Sequence, residues 1–127
     1  MTAGVCEVYD LGRVGYRDAE RLQLRLVELR RAGHAPDRLV ICEHDPVVTV
    51  GAASDDPEAE SAAARAAGIE VHRVSRGGRA TLHCPGQVVV YPILDLRTHL
   101  TDLHWYLRAL EDTVIDALDE LGCDAER

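Results

Sequence analysis

The sequence predicts an α/β fold with a mixed sheet flanked by helices. Three observations carry that expectation. Leu22, Leu26 and Leu29 recur at helical spacing, and a longer stripe from Leu103 to Leu121 does the same near the C-terminus. Short apolar or alternating runs of strand length lie between these two segments. Strands interleaved with helices, and joined in places by short strand-to-strand links, argue for a sheet with both parallel and antiparallel neighbours.

The elements follow in order. Val5–Leu11 reads as a short strand. Residues 17–32 read as a helix that Gly33 stops. Arg38–Cys42 is an apolar run, expected as a buried strand, and Glu43-His44-Asp45 as the loop after it. Pro46–Val50 is a second short strand. The Ala-, Asp- and Glu-rich segment at 52–67 reads as a loop plus a surface helix, with Asp56 as cap, Pro57 in the first helical position and Gly68 as terminator. Residues 69–74 alternate like a strand, and residues 87–96 read as a longer one that Pro92 interrupts or ends. Thr101 is expected to cap the last helix. Leu103, Tyr106, Leu107, Leu110, Val114, Leu118 and Leu121 line one face of it, and Asp112, Asp116, Asp119 and Glu120 line the other. Gly122 ends it. A sheet made only of these strands leaves an open edge, which suggests a partial domain or one completed by a partner.

Composition narrows the class. The chain has 127 residues, of which 46% are apolar and 28% charged, an ordinary globular mixture with room for a modest core. Phe is absent and Trp occurs once, so Val, Leu and Ala must build that core. All 14 basic side chains are Arg, and no Lys is present. The net charge of −8 argues against general nucleic-acid binding, although Arg73, Arg76 and Arg79 could form a local basic patch. Cys6, Cys42, Cys84 and Cys123 are scattered without a C-x-x-C pair. Met1-Thr2-Ala3-Gly4 has no basic and apolar leader, and no apolar run reaches the length of a membrane span. The expectation is a reducing cytoplasm with free thiols and no membrane partner.

The most informative segment runs Arg76-Gly77-Gly78-Arg79-Ala80-Thr81-Leu82-His83-Cys84-Pro85-Gly86-Gln87. Paired glycines let backbone approach a bound group closely. The arginines offer planar forks suited to carboxylate or phosphate. Pro85-Gly86 turns the chain into the strand Val88-Val89-Val90-Tyr91. Two readings stand side by side: the wall of a small-molecule site, and a plain hairpin with solvated arginines. Adjacent residues on extended chain face opposite ways, so His83 is poorly placed to deprotonate Cys84, and a packed thiol is the default for that cysteine. Nothing in the spacing of Cys42, His44, His83 and Cys84 compels a metal site. His44 is a candidate polar wall of a pocket or a hydrogen-bonded loop histidine. His99 and His104 read as solvated or capping groups, and Trp105 and Tyr106 as packing residues.

Three blocks in register carry a family resemblance. Glu43-His44-Asp45-Pro46-Val47-Val48-Thr49-Val50-Gly51, the Arg76–Gln87 segment, and Tyr91-Pro92-Ile93-Leu94-Asp95-Leu96 together resemble the lipoyl(octanoyl) transferase family. Its pattern is E-H-x-P-V-x-T-x-G, then R-G-G-x-x-T-Y-H-G-P-G-Q, then Y-P-I-L-D-L. Tyr16, Ala19 and Gln23 in the first helix resemble the opening pattern, and Leu110-Glu111 the last helix. The match spans nearly the whole chain. Departures are Leu82 for Tyr, Cys84 for Gly, and no basic residue after Gly51.

The resemblance implies a biotin/lipoate ligase-like (class II synthetase-like) catalytic domain, of which residues 1–127 would be the N-terminal part, cut short. It implies transfer of an octanoyl group from octanoyl-acyl carrier protein to a lysine of a lipoyl domain, through an acyl-thioester intermediate. The lipoyl domains would be those of 2-oxoacid dehydrogenases and the glycine cleavage H protein. It implies no cofactor, nucleotide or metal. The substrate-binding stretch would be Arg76, Gly77, Gly78, Arg79, Ala80, Thr81, Leu82 and His83, with His44 and Tyr91 as pocket candidates. The family's catalytic cysteine and its activating lysine would lie beyond Arg127, so the chain alone is expected to be inactive. The alternative is a non-catalytic acyl-binding or interaction module. A ligase-type reading would import ATP, and the chain lacks a lysine for adenylate chemistry. An acidic carrier protein would need a local patch, for which Arg73, Arg76, Arg79 and Arg97 are candidates.

Overall fold

The computed structural model describes residues 4–127. The leader-free start read from Met1-Thr2-Ala3 lies outside the described residues. Six strands and three helices are formed among the described residues: β1 (Cys6–Val14), α1 (Tyr16–Arg31), β2 (Asp37–His44), β3 (Val47–Val50), α2 (Pro57–Ala66), β4 (Glu70–Arg73), β5 (Ala80–His83), β6 (Val89–Ile93) and α3 (Leu103–Glu120), with a 3-10 turn at Leu96–Thr98.

The strands form two three-stranded mixed sheets, ordered β1-β2-β6 and β4-β3-β5. Each is built the same way. A helix carries the chain from one strand to a parallel neighbour, and an antiparallel strand then joins the other side. In the first sheet α1 links β1 to β2, and β6 pairs with β2; in the second α2 links β3 to β4, and β5 pairs with β3. The long crossovers fit the parallel pairs, as geometry requires. The chain leaves the first sheet and enters the second at Asp45-Pro46, where proline lacks the N–H that a continuous ladder would need.

Burial follows position. Leu26 of α1, Val40 of β2 and Ile93 of β6 form the core of the first sheet, with Tyr9, Leu11, Leu22, Val27 and Tyr91 against it. All four residues of β3, the centre of the second sheet, are buried. Pro92 falls inside β6 and does not end it. β6 is an edge strand, where a missing N–H can face away from the ladder. Asp56 caps α2 by accepting from Ala59 N at 3.1 Å, and Gly68 takes the positive φ of 72° that ends it.

Several expectations need correction. β1 runs past Leu11 to Val14, over an irregularity at Gly12. β2 extends through Glu43 and His44, which were read as loop. Residues 80–83, inside the Arg-Gly-Gly segment, form a strand of their own.

The chain divides into two compact units, Met1–Leu94 and Asp95–Arg127. In the second, Asp102 and not Thr101 caps α3, because its carboxylate accepts from both His104 N (2.8 Å) and Trp105 N (3.1 Å). The helix ends in a Schellman arrangement: Gly122 has φ 76°, Gly122 N donates to Asp119 O at 2.9 Å, and Cys123 N donates to Leu118 O at 2.9 Å. The apolar stripe of α3 is not core, since none of its side chains is buried and Leu103 is 74% exposed. Arg127 closes back onto Glu111 and Asp112 of the same helix.

Candidate functional site

The Arg-Gly-Gly loop joins β4 to β5 and is braced from two sides. Residues following β3 lie along it, with Gly51 N donating to Arg79 O (3.0 Å), Ala52 N to Arg76 O (2.9 Å) and Ala53 N to Gly78 O (3.0 Å). Gly51 is obligatory here: a methyl group at its Cα would stand 2.8 Å from Gly77 O and nearer still to Gly78 O. Gly78 has φ 81°, a conformation that side-chain-bearing residues rarely adopt. From the second side, Glu60 of α2 pairs with the Arg79 guanidinium and accepts from Ala80 N at 3.1 Å. The Arg79 hydrogen bond is the main reason that the Glu60 carboxyl is held below its ordinary range.

Arg76 closes the structure from inside. Its Nη2 donates to Thr49 O (2.9 Å), Thr49 Oγ1 (2.8 Å) and Arg79 O (3.0 Å), and its Nη1 donates to Gly77 O (2.7 Å). The sequence leaves two roles open for Arg76 and Arg79, an anion cradle and a hairpin with solvated arginines. The structure commits Arg76 to two carbonyls of its own loop and to the carbonyl and hydroxyl of Thr49 in β3, and Arg79 to the Glu60 carboxylate, so the segment is a braced wall and not an open fork. Arg97 of the proposed patch is likewise paired, with Asp95 at 2.7 Å.

The wall leads into β5, and register decides what β5 presents. His83 pairs with Val47, Leu82 with Val48, Thr81 with Thr49 and Ala80 with Val50, while His72 of β4 pairs with Thr49 from the other side. Side chains alternate along strands, so His72, Thr49, Thr81 and His83 share one face of the second sheet. Leu82, 50% exposed, lies on the opposite face with Ala80. The shared face meets Tyr16, whose ring stacks on His72 at 5.3 Å and 22°. Tyr16 also meets His44 edge-on at 5.6 Å, and His44 meets His83 at 5.8 Å and 71°.

His44 is the hub of this cluster and is 0% exposed. Its Nδ1 lies 2.9 Å from Val14 O, and a carbonyl oxygen only accepts, so Nδ1 carries the proton. In the neutral ring Nε2 is then an acceptor, and the Tyr91 hydroxyl donates to it at 2.7 Å. His44 therefore acts from behind the surface, orienting Tyr91 and backing His83. Burial pushes the Tyr91 phenol far above its ordinary value, with the nearby Cys42 and Tyr16 adding to the effect and a Gln23 hydrogen bond opposing it. Burial likewise raises Tyr16, with Glu20 contributing. Both phenols thus stay protonated donors. Cys42, with Sγ 3.7 Å from His44 Nε2, is raised by burial and by Asp10, so it remains a thiol.

His83 is held differently. It is half-buried, and its Nδ1 lies 2.7 Å from Gln87 Oε1. Among the described residues no group of three or more His, Cys, Asp or Glu is arranged to hold a metal ion. A cavity of ≈ 250 Å³ beside the loop is lined by Val50, Gly51, Ser54 and Arg73 among others, and none of Thr81, His83 or Tyr91 lines it. Of the expected site residues, the structure gathers His44, His83 and Tyr91 into one cluster, places the exposed Thr81 on the same sheet face as His83, and keeps Arg76 to Arg79 as scaffold. Sequence reasoning missed His72 and Thr49 as members; their alternation within two neighbouring strands was the available signal.

A family model described as the lipoyl protein ligase A/B catalytic domain matches residues 15–127. An octanoyltransferase of Thermosynechococcus vestitus is 48% identical over 124 residues, covering 92% of this chain and 52% of that protein. An octanoyltransferase of Nostoc punctiforme is 43% identical over 126 residues, covering 97% of this chain and 54% of that protein. The solved structure of a T. acidophilum protein described as a lipoate protein ligase superposes with a TM-score of 0.69 at 23% identity, covering 94% of this chain and 50% of that one. The same protein with bound lipoic acid gives a TM-score of 0.64 at 20% identity, covering 93% of this chain and 48% of that one. The chain spans about half the length of the curated relatives it matches.

Proposed function

This chain belongs to the lipoyl protein ligase A/B catalytic-domain family, and from that premise we propose that it supplies the substrate-binding half of an octanoyltransferase. The reaction is transfer of an octanoyl group from octanoyl-acyl carrier protein to a lysine amine of a lipoyl domain, those of 2-oxoacid dehydrogenases and the glycine cleavage H protein included. Residues 1–127 act as the N-terminal part of one catalytic domain and work in the cytoplasm. Among the described residues no helix is long and apolar enough to cross a membrane.

The observation that carries this reading is the convergence of His83, Tyr16 and Tyr91 on the buried His44, beside a loop whose arginines are spent on bracing it. Acyl transfer between a thioester and an amine needs fixed hydrogen-bonding groups that do not move as charge develops. The segment 76–83 divides that work. Arg76, Gly77, Gly78 and Arg79 hold the wall's shape, and Ala80, Thr81, Leu82 and His83 form the strand that borders the substrate.

The chain carries no lysine, and the hydrogen bond of the His83 ring goes to Gln87 and not to Cys84. The reading therefore expects octanoate to bind without turnover. Native mass spectrometry with octanoyl-acyl carrier protein and a lipoyl domain tests it. Non-covalent octanoyl binding without transfer is the expected result. Transfer by this chain alone would overturn the assignment and return Cys84 to consideration, to be checked with Cys84→Ser.

A further inference from the structure

The turn after β5 places Gln87 back over the end of its own strand. Gln87 N donates to Cys84 O at 3.2 Å, Gly86 takes φ 89°, and Gly86 N donates to Glu43 Oε2 at 2.9 Å, which ties the turn to the end of β2. The turn is thus anchored at two points before the Gln87 side chain reaches His83. The contact it then makes, Oε1 to Nδ1 at 2.7 Å, is short and specific. A carboxamide oxygen only accepts, so the proton of the neutral imidazole must sit on Nδ1. That leaves the lone pair on Nε2.

The remaining surroundings do not undo this assignment. The ring on the inner side is His44, whose own nitrogens are taken by Val14 O at 2.9 Å and the Tyr91 hydroxyl at 2.7 Å. His44 meets His83 edge-on and not through a hydrogen bond. Among the described residues no hydrogen bond is made at His83 Nε2, and the residue is only half-buried.

We infer that Gln87 is a positioning residue that locks His83 in the Nδ1–H tautomer, so that Nε2 faces the substrate as an acceptor for an amine or ammonium N–H. The choice of an amine rests on the acyl-transfer reading above; the tautomer does not. An Nε2 lone pair attracts an ammonium and repels a carboxylate oxygen. This wall therefore favours the acceptor lysine over a free fatty acid head group at this point.

Long-range ¹H–¹⁵N spectra of the uniformly labelled chain, recorded with neutral imidazoles, read the tautomer of each ring directly. A free histidine side chain prefers Nε2–H, so a predominant Nδ1–H signature for His83 is a positive signal. Gln87→Glu, which offers an acceptor only, should keep it. Gln87→Leu should return His83 to predominant Nε2–H while the His44 pattern stays unchanged, which shows that the cluster remains folded. Nε2–H in the parent chain, as a reversed amide would give, overturns the inference, and so does a tautomer insensitive to Gln87→Leu. Titration with n-butylammonium and with octanoate then separates the two layers. A shift at His83 Nε2 with the ammonium alone supports both. A locked Nδ1–H tautomer with no ammonium response removes the amine-facing role and counts against the acyl-transfer reading, while the tautomer-setting role of Gln87 stands.

Discussion

Gly51→Ala is the sharpest test of the braced loop. A single methyl group there would sit 2.8 Å from both Gly77 O and Arg76 Nη1, and nearer to Gly78 O. Two of these neighbours are backbone, and the third is a guanidinium already engaged with Thr49 and Arg79, so none can move away cheaply. Overpacking of this kind costs about 1–3 kcal/mol. Separating the strands to relieve it weakens the hydrogen bonds from Gly51, Ala52 and Ala53, each with a net value of about 0.5–1.5 kcal/mol. Loss of one such bond on top of the steric cost gives roughly 1.5–4.5 kcal/mol. Urea unfolding measures the total, and amide exchange at Ala52 and Ala53 locates it. Gly77→Ala is the control: a methyl there meets nothing within 4 Å, so its effect should stay within about 0.5 kcal/mol. An unchanged midpoint in Gly51→Ala, with Ala52 and Ala53 still protected, would refute the steric argument.

Arg76→Lys should destabilise by about 1–3 kcal/mol in urea unfolding despite keeping the charge, because one ammonium cannot serve acceptors on Thr49, Gly77 and Arg79 at once; a change under ~0.5 kcal/mol would mean the fork is not a clip. Tyr91→Phe leaves His44 Nε2 buried without its donor and should cost about 1–3 kcal/mol. The pH dependence of the same variant carries a sign. Tyr91 is raised in the folded state, so its contribution is intact below the ordinary tyrosine value of about 10 and is lost as pH rises beyond it, where the unfolded chain ionises first. The alkaline decline in stability should therefore be shallower in Tyr91→Phe, and an equal slope in both proteins would count against the burial argument. Buried Cys42 should react with a thiol reagent only on unfolding, while exposed Cys6 and Cys123 react at once.

Helix α1 was legible because Leu22 and Leu26 follow local helical spacing and Gly33 marks the end. The Asp56-Pro57 start of α2 was legible for the same reason: capping is local chemistry. What stayed hidden depends on partners far along the chain. Ala80-Thr81-Leu82-His83 has little strand character of its own, and β3 imposes it. His44 reads as a loop residue because an imidazole is a poor candidate for complete burial. Val14 and Tyr91, both distant in sequence, supply the hydrogen bonds that make it tolerable. The division into two sheets was not readable either, since Asp45-Pro46 marks a turn but not which ladder each flanking strand joins.

The arginines show that a motif suited to reaching outward can also be turned to hold its own loop. Two arginines around two glycines suggest a cradle for an anion, since each fork could reach outward. Here the same chemistry is directed inward. Four Arg76 hydrogen bonds to groups of Thr49, Gly77 and Arg79 leave the guanidinium as the keystone of its own loop. A lysine could not replace it, because only a planar fork reaches acceptors on both sides of the turn. Gly51 is then required by its closeness to the loop and Gly78 by its left-handed turn, whereas Gly77 has room for a side chain. Fixing Arg76 to Arg79 in this way sets where β5 begins, and with it the position of His83 against His44, which in turn meets Tyr16 and Tyr91.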